Sequence, residues 1–148
     1  MDMDDIFAAW DGKHTDQLRD LATQLTKDDH PSLLRACHSQ HDQTARAASW
    51  VLKALYEAGN DIPFPADVLS HNPHWETALH LLQSVQHVAV EFPPQIVAPY
   101  LKHKRPMVRA WALDAYVRLG AEDAAQVLQN AHDDPAASVR ARARNLEE

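Results

Sequence analysis

Four segments of this chain can be laid on one another: ARAASWVL from Ala45, HWETALHLL from His74, MVRAWALDA from Met107 and SVRARARNL from Ser138. Arg46, Glu76, Arg109 and Arg140 then share a column, separated by 30, 33 and 31 residues. Three columns further on stand Ser49, Leu79, Ala112 and Ala143, and three beyond those Leu52, Leu82, Ala115 and Leu146. A recurrence of this length suits a helical hairpin. Such a hairpin cannot bury its apolar side alone, so the pattern asks for hairpins stacked one on the next.

The segment RPMVRAWALDAYVRLG, residues 105–120, sharpens the constraint. At about 100° per residue, Val108, Ala112, Ala115 and Leu119 form one face, flanked by Trp111 and Tyr116. Ala110, Leu113 and Val117 lie largely opposite, leaving Asp114 and Arg118 as a polar edge. A helix so apolar must be covered on more than one side. Arg109 falls inside the apolar sweep and has to be paired there. Arg109 and Arg140 are expected to tie adjacent repeats together through acidic residues or helix C-terminal carbonyls, since a guanidinium bonds several groups at once.

The rest of the chain reads as helical too. There are three glycines in 148 residues and no alternating β-branched runs. Thr15 can cap a helix bearing Leu18, Leu21 and Leu25; Pro31, Pro73, Pro106 and Pro135 precede helical patterns, and Asn72 and Asp134 are good N-cap residues. Gly59 and Gly120 sit where helices should end. The pattern predicts helices near 3–10, 15–27, 31–39, 43–58, 65–70, 73–88, 93–103, 106–119, 122–131 and 135–146, with Pro99 kinking or delaying the seventh.

DPAASVRARARNL and its relative RPMVRAWALDAYVRLG resemble HEAT-like repeats, the short PBS-lyase-type variety of about thirty residues in armadillo-like helical arrays. Their second helix typically begins D-P-x-x-x-V-R-x-x-A. The resemblance covers roughly residues 31–146 and is best in the last two units. The second unit departs from it with Glu76 and Trp75 in the arginine and valine columns, and the first has Ala45 for the valine. It implies an all-α fold, a right-handed α-α superhelix (HEAT-like solenoid) of about four helical hairpins plus N-terminal helices. Residues 1–148 then form one domain, with residues 1–30 as capping helices. It also implies a structural ladder of Arg46, Glu76, Arg109 and Arg140.

Catalytic chemistry finds little footing. Ten histidines invite a metal, with Cys37, His38 and His41 in one turn, His71 and His74 about a proline, and His80 and His87 two turns apart. None has a paired-cysteine or H-E-x-x-H spacing, and the His-Glu dipeptides by which some HEAT-like enzymes hold iron are missing. No metal and no cofactor are expected. Cys37, with His41 as its one local base, lacks a third orienting group and reads as a small buried residue. A single cysteine excludes an internal disulfide. The acidic start MDMDDIFAAWDG does not read as a signal peptide, and no apolar stretch suits a membrane, so a cytoplasmic protein is expected.

Net charge is −7, a poor match to nucleic acid, but residues 102–148 carry eight basic and seven acidic side chains. The expected function is a non-catalytic adaptor binding a protein partner in the concave groove. Its contacts would be the polar positions of second helices: Lys53, Glu57, His80, Gln83, Asp114 and Arg118. The alternative is a DNA binder or repair glycosylase of the HEAT-like alkylpurine type, which resemblance would build from Trp111 with Asp114, Arg109 and Arg118. Lys102, Lys104, Arg105 and the Arg140–Arg142–Arg144 series would supply phosphate contacts. Trp50, Trp75 and Trp111 could stack on bases or simply fill space between helices.

Overall fold

A computed structural model describes residues 2–89 and 91–147, and among these there is no strand. The chain forms two compact units, Met1–Val88 and Ala89–Glu148. The first holds α1 (Met3–Ala8), α2 (Asp16–Gln24), α3 (His30–Cys37), α4 (Asp42–Glu57), α5 (Ala66–Leu69) and α6 (Trp75–Ser84), with 3₁₀ turns at Lys27–Asp29 and Val85–His87. The second holds 3₁₀ turns at Pro94–Ile96 and Ala98–Lys102, then α7 (Pro106–Arg118), α8 (Ala124–Ala131) and α9 (Ala137–Leu146). The fold of the described residues is all-α, helix packed on helix.

In the first unit α4 is the centre, with α1, α2, α3 and α6 all packed on it. In the second unit α7 packs chiefly on α9. The aligned columns explain both pairings. Ser49, Leu79, Ala112 and Ala143 are all buried, as are Leu52, Leu82 and Ala115; Leu146, in the last turn of α9, is half-buried. Small residues at these positions let helix axes approach closely, and the leucines interdigitate beside them.

Chain punctuation acts as its chemistry dictates at some ends and not at others. Gly59 and Gly120 take left-handed φ of 90° and 73° just past α4 and α7. There Asn60 N–H reaches back to Leu55 O at 3.0 Å, and Ala121 N–H to Tyr116 O at 3.5 Å, closing the Schellman arrangement that glycine favours. Pro31 and Pro106 lie in the first turns of α3 and α7. Asn72, by contrast, does not cap α6; it sits at φ 51°, and His74 caps instead, Nδ1 accepting Glu76 N–H at 3.1 Å. Thr15 precedes α2 without a side-chain cap bond.

The segment 93–103 is not α-helical. Pro93, Pro94 and Pro99 remove three amide donors within seven residues, and the chain winds as two 3₁₀ turns. The first member of the preceding hairpin is also reduced, to the four residues of α5, behind Pro63 and Pro65. These two hairpins therefore have a long second helix and an abbreviated first member.

Candidate functional site

The arginine column gathers side-chain and carbonyl partners in each unit. Arg109 uses its whole guanidinium. Nε and Nη2 donate to Asp134 Oδ2 and Oδ1, both at 3.0 Å, and Nη1 donates to the carbonyls of His103 at 2.8 Å and Lys104 at 3.2 Å. Arg140 Nη1 donates to Asp134 O at 2.7 Å. Both arginines thus reach the carbonyl six residues before them, at the turn leading into their own helix. Asp134 also accepts Ala136 N–H at 2.8 Å, so it is fixed two residues ahead of the N-cap position of α9. Burial alone would raise its pKa, but the Arg109 bonds and the Ala136 amide outweigh that and hold the carboxyl below the usual range.

In the first unit the acid has moved. Column position 76 is itself a glutamate, and Arg46 Nη2 meets Glu76 Oε1 at 3.0 Å. Arg46 also donates to Gly12 O at 3.2 Å, and its guanidinium carbon lies 5.5 Å from the Trp10 ring centroid. Glu76, which breaks the arginine pattern, is therefore the partner of the arginine before it.

The expected contact residues are placed unevenly. Lys53 Nζ and Glu57 Oε1 pair along α4 at 3.4 Å, with Glu57 exposed. His80 and Gln83 of α6 are half-buried. Ser49 Oγ lies 3.0 Å from Arg46 O, to which it can donate, and 2.8 Å from His80 Nδ1. Burial, then the cations Lys53 and Arg46, lower the imidazole pKa to about 3.

Asp114 has no exposed surface and cannot serve as a contact. Its Oδ1 accepts Arg118 Nε at 2.6 Å, and Oδ2 lies 3.6 Å from Arg142 Nη1 of α9. Arg142 in turn covers Trp111, 4.1 Å from the ring centroid. Asp114→Asn should lower unfolding free energy by about 1–3 kcal/mol, the cost of leaving buried donors or acceptors poorly matched. Urea denaturation measures this, and an unchanged midpoint would show that the carboxylate does not hold α9 to α7.

Lys102, Lys104 and Arg105 are exposed. The tryptophans mostly have a face occupied: Arg19 sits 6.0 Å from Trp50, and His74 stacks on Trp75 at 5.7 Å. Cys37 is buried, and burial pushes its thiol up to about 12, far from a nucleophilic thiolate at neutral pH. His38, His71 and His74 share with Cys37 the lining of a cleft of about 490 Å³. Among the described residues, no group of three or more potential ligands is placed to hold a metal ion. At this cleft His38 Nδ1 meets Leu34 O at 2.8 Å, and Nε2 meets Asp67 Oδ2 at 3.0 Å. A pairing twenty-nine residues long left no signal in the sequence.

Comparison with known families decides what this repeat is. A family model of HEAT repeats matches residues 62–147, more than half of the chain. The chain belongs to the HEAT-repeat family. No curated protein and no solved structure matches it. The HEAT match spans α5 to α9 and includes the Asp134-Pro135 step and both Arg109 and Arg140. Residues 1–61 lie outside it, although Arg46 meets Glu76 of the matched region. Within the described residues of this HEAT-repeat chain, no helix is long and apolar enough to cross a membrane.

Charge is divided between the units. Residues 1–88 carry six basic and thirteen acidic side chains, and residues 89–148 eight and eight. The whole surplus of −7 belongs to the first unit.

Proposed function

We propose that this HEAT-repeat chain is a non-catalytic adaptor that binds another protein through the polar side of its second helices. HEAT repeats commonly act as protein-interaction scaffolds. One observation carries the reading: these helices bury their small and apolar columns against each other while Lys53, Glu57 and Arg118 pair along their own helices at 26%, 46% and 44% side-chain exposure. The Lys53–Glu57 pair, at the surface, is worth little, so exchanging it for a partner's charges costs little. Arg118 is held from one side by buried Asp114 and leaves the rest of its guanidinium exposed. His80 and Gln83 supply half-buried neutral groups on α6. Asp114 acts from beneath, holding Arg118. The adaptor needs no cofactor and works away from a membrane, in the cytoplasm.

The exposed Lys102, Lys104 and Arg105 favour a nucleic-acid binder as the second reading. The even charge balance of residues 89–148 and the capped ring of Trp111 weigh against it. Affinity capture with the tagged chain from its native source tests both. A partner held by the wild type and lost with Lys53→Glu/Glu57→Lys and with Arg118→Glu supports the adaptor. Capture indifferent to all three substitutions rejects this surface. Tight binding of a labelled DNA duplex at low salt with a steep salt slope replaces the adaptor reading by the second one.

A further inference from the structure

In the second unit α7 and α9 pack closely, yet the first members of their hairpins leave a gap. A groove of about 220 Å³ runs between the turn Ala98–Lys102 and α8. Buried Leu113 and Val139 line its base, and half-exposed Leu101, Val127 and Ala131 line its sides with Lys102. None of the residues of α8 is fully buried. A helix carrying Val127, Leu128 and Ala131 ordinarily buries that stripe. The volume is that of about seven water molecules; it admits one apolar side chain and is small for a drug-sized ligand.

Charge at the groove is lopsided. Lys102 stands exposed on its wall, followed by exposed Lys104 and Arg105. Asp134, the carboxylate lining the groove, is committed to Arg109. His103 reports the field: burial first, then Lys104, Arg105 and Arg109, hold its pKa below the ordinary value. Met107, two residues past Arg105, is 54% exposed.

We propose that this groove docks an acidic segment of a partner protein, with one leucine-sized side chain entering between Leu101 and Val127 and carboxylates meeting Lys102 and Lys104. None of the contact residues of the adaptor reading lines this groove, and the proposal stands without them. An apolar slot favours a peptide over nucleic acid, because a phosphate backbone brings no side chain to fill it and wants a broader array of cations.

The test is fluorescence anisotropy of the full chain with a fluorescein-labelled peptide of aspartates and glutamates around one central leucine. Saturable binding is expected, weakening as salt rises. Replacing the leucine by serine should weaken it at least about tenfold, the value of burying one such side chain. Lys102→Glu should weaken it about tenfold as well, and Ala131→Phe should block the slot. Should Ala131→Phe fail to fold by circular dichroism, the peptide change and Lys102→Glu decide alone. Lys53→Glu/Glu57→Lys should leave this binding untouched, so its loss and the loss of the adaptor surface are told apart. No saturable binding, equal binding of the serine peptide, or stronger binding of a DNA duplex overturns the proposal. So does a concentration-dependent dimer that Ala131→Phe dissociates, because a second copy would then be the occupant.

Discussion

Arg109→Ala lowers the unfolding free energy by about 3 kcal/mol, visible as a reduced urea midpoint at pH 7 with an unchanged slope. The size follows from what is left behind. Arg109 and Asp134 are each 15% exposed at the side chain, so deleting the cation leaves a mostly buried carboxylate with its Ala136 amide and no charge partner. The carbonyls of His103 and Lys104 lose their donor in the same step. Arg109→Lys should recover only part of the loss, because an ammonium cannot fork onto both Asp134 oxygens while reaching two carbonyls. Replacing both residues by apolar ones, Arg109→Met with Asp134→Leu, should cost much less than either alanine change alone. A loss below about 1 kcal/mol for Arg109→Ala would place the pair with ordinary surface ion pairs and remove its claim to organise the second unit.

Acidification to pH 5 should destabilise the wild type by about 2 kcal/mol more than it destabilises His80→Gln. His80 is neutral in the fold, its pKa lowered to about 3 by burial and by Lys53 and Arg46, with His74 adding to the same effect and the Arg46 carbonyl opposing it. The unfolded chain takes up a proton near the ordinary histidine pKa of about 6.5. The unfolded state therefore binds more protons between pH 6.5 and 3, so stability present above 6.5 is lost as pH falls through that window, at about 1.4 kcal/mol per pH unit. His103, whose pKa is also lowered, acts with the same sign. His38 acts oppositely. Burial disfavours its charge, but the Leu34 carbonyl and the Asp67 carboxylate outweigh burial and raise its pKa, so its contribution is present below about pH 6.5 and fades as pH rises through the folded value. Stopping at pH 5 keeps the carboxylates out of the comparison. Equal pH slopes for wild type and variant would mean that the imidazole is not desolvated.

Much of the fold was legible because its determinants are local or periodic. The columns at 49, 79, 112 and 143 read as a packed seam, and all four are buried. Gly59 and Gly120 mark helix ends because left-handed backbone favours glycine. What sequence reasoning missed is set across longer distances or by competition. Residues 93–103 have a helix-like apolar rhythm, yet three prolines outvote it. Asp114 sits on the polar edge of α7, four residues from Arg118, which suggests an exposed pair. Its burial depends on Arg142 arriving from α9 and stacking on Trp111, and no spacing within α7 encodes that. The groove beside α8 was equally hidden, since it arises from first members too short or too tightly wound to meet.

Those slight first members also solve a problem of bookkeeping along the chain. The column residues are spaced unevenly, by 30, 33 and 31 positions, yet helices that mesh side chain into side chain tolerate no drift. Four residues of α-helix in one hairpin, proline-set 3₁₀ coils in the next and a full two turns in the last act as shims of adjustable thickness. Length gained or lost there leaves the register within each second helix intact, so the first members take up the uneven spacing of the columns.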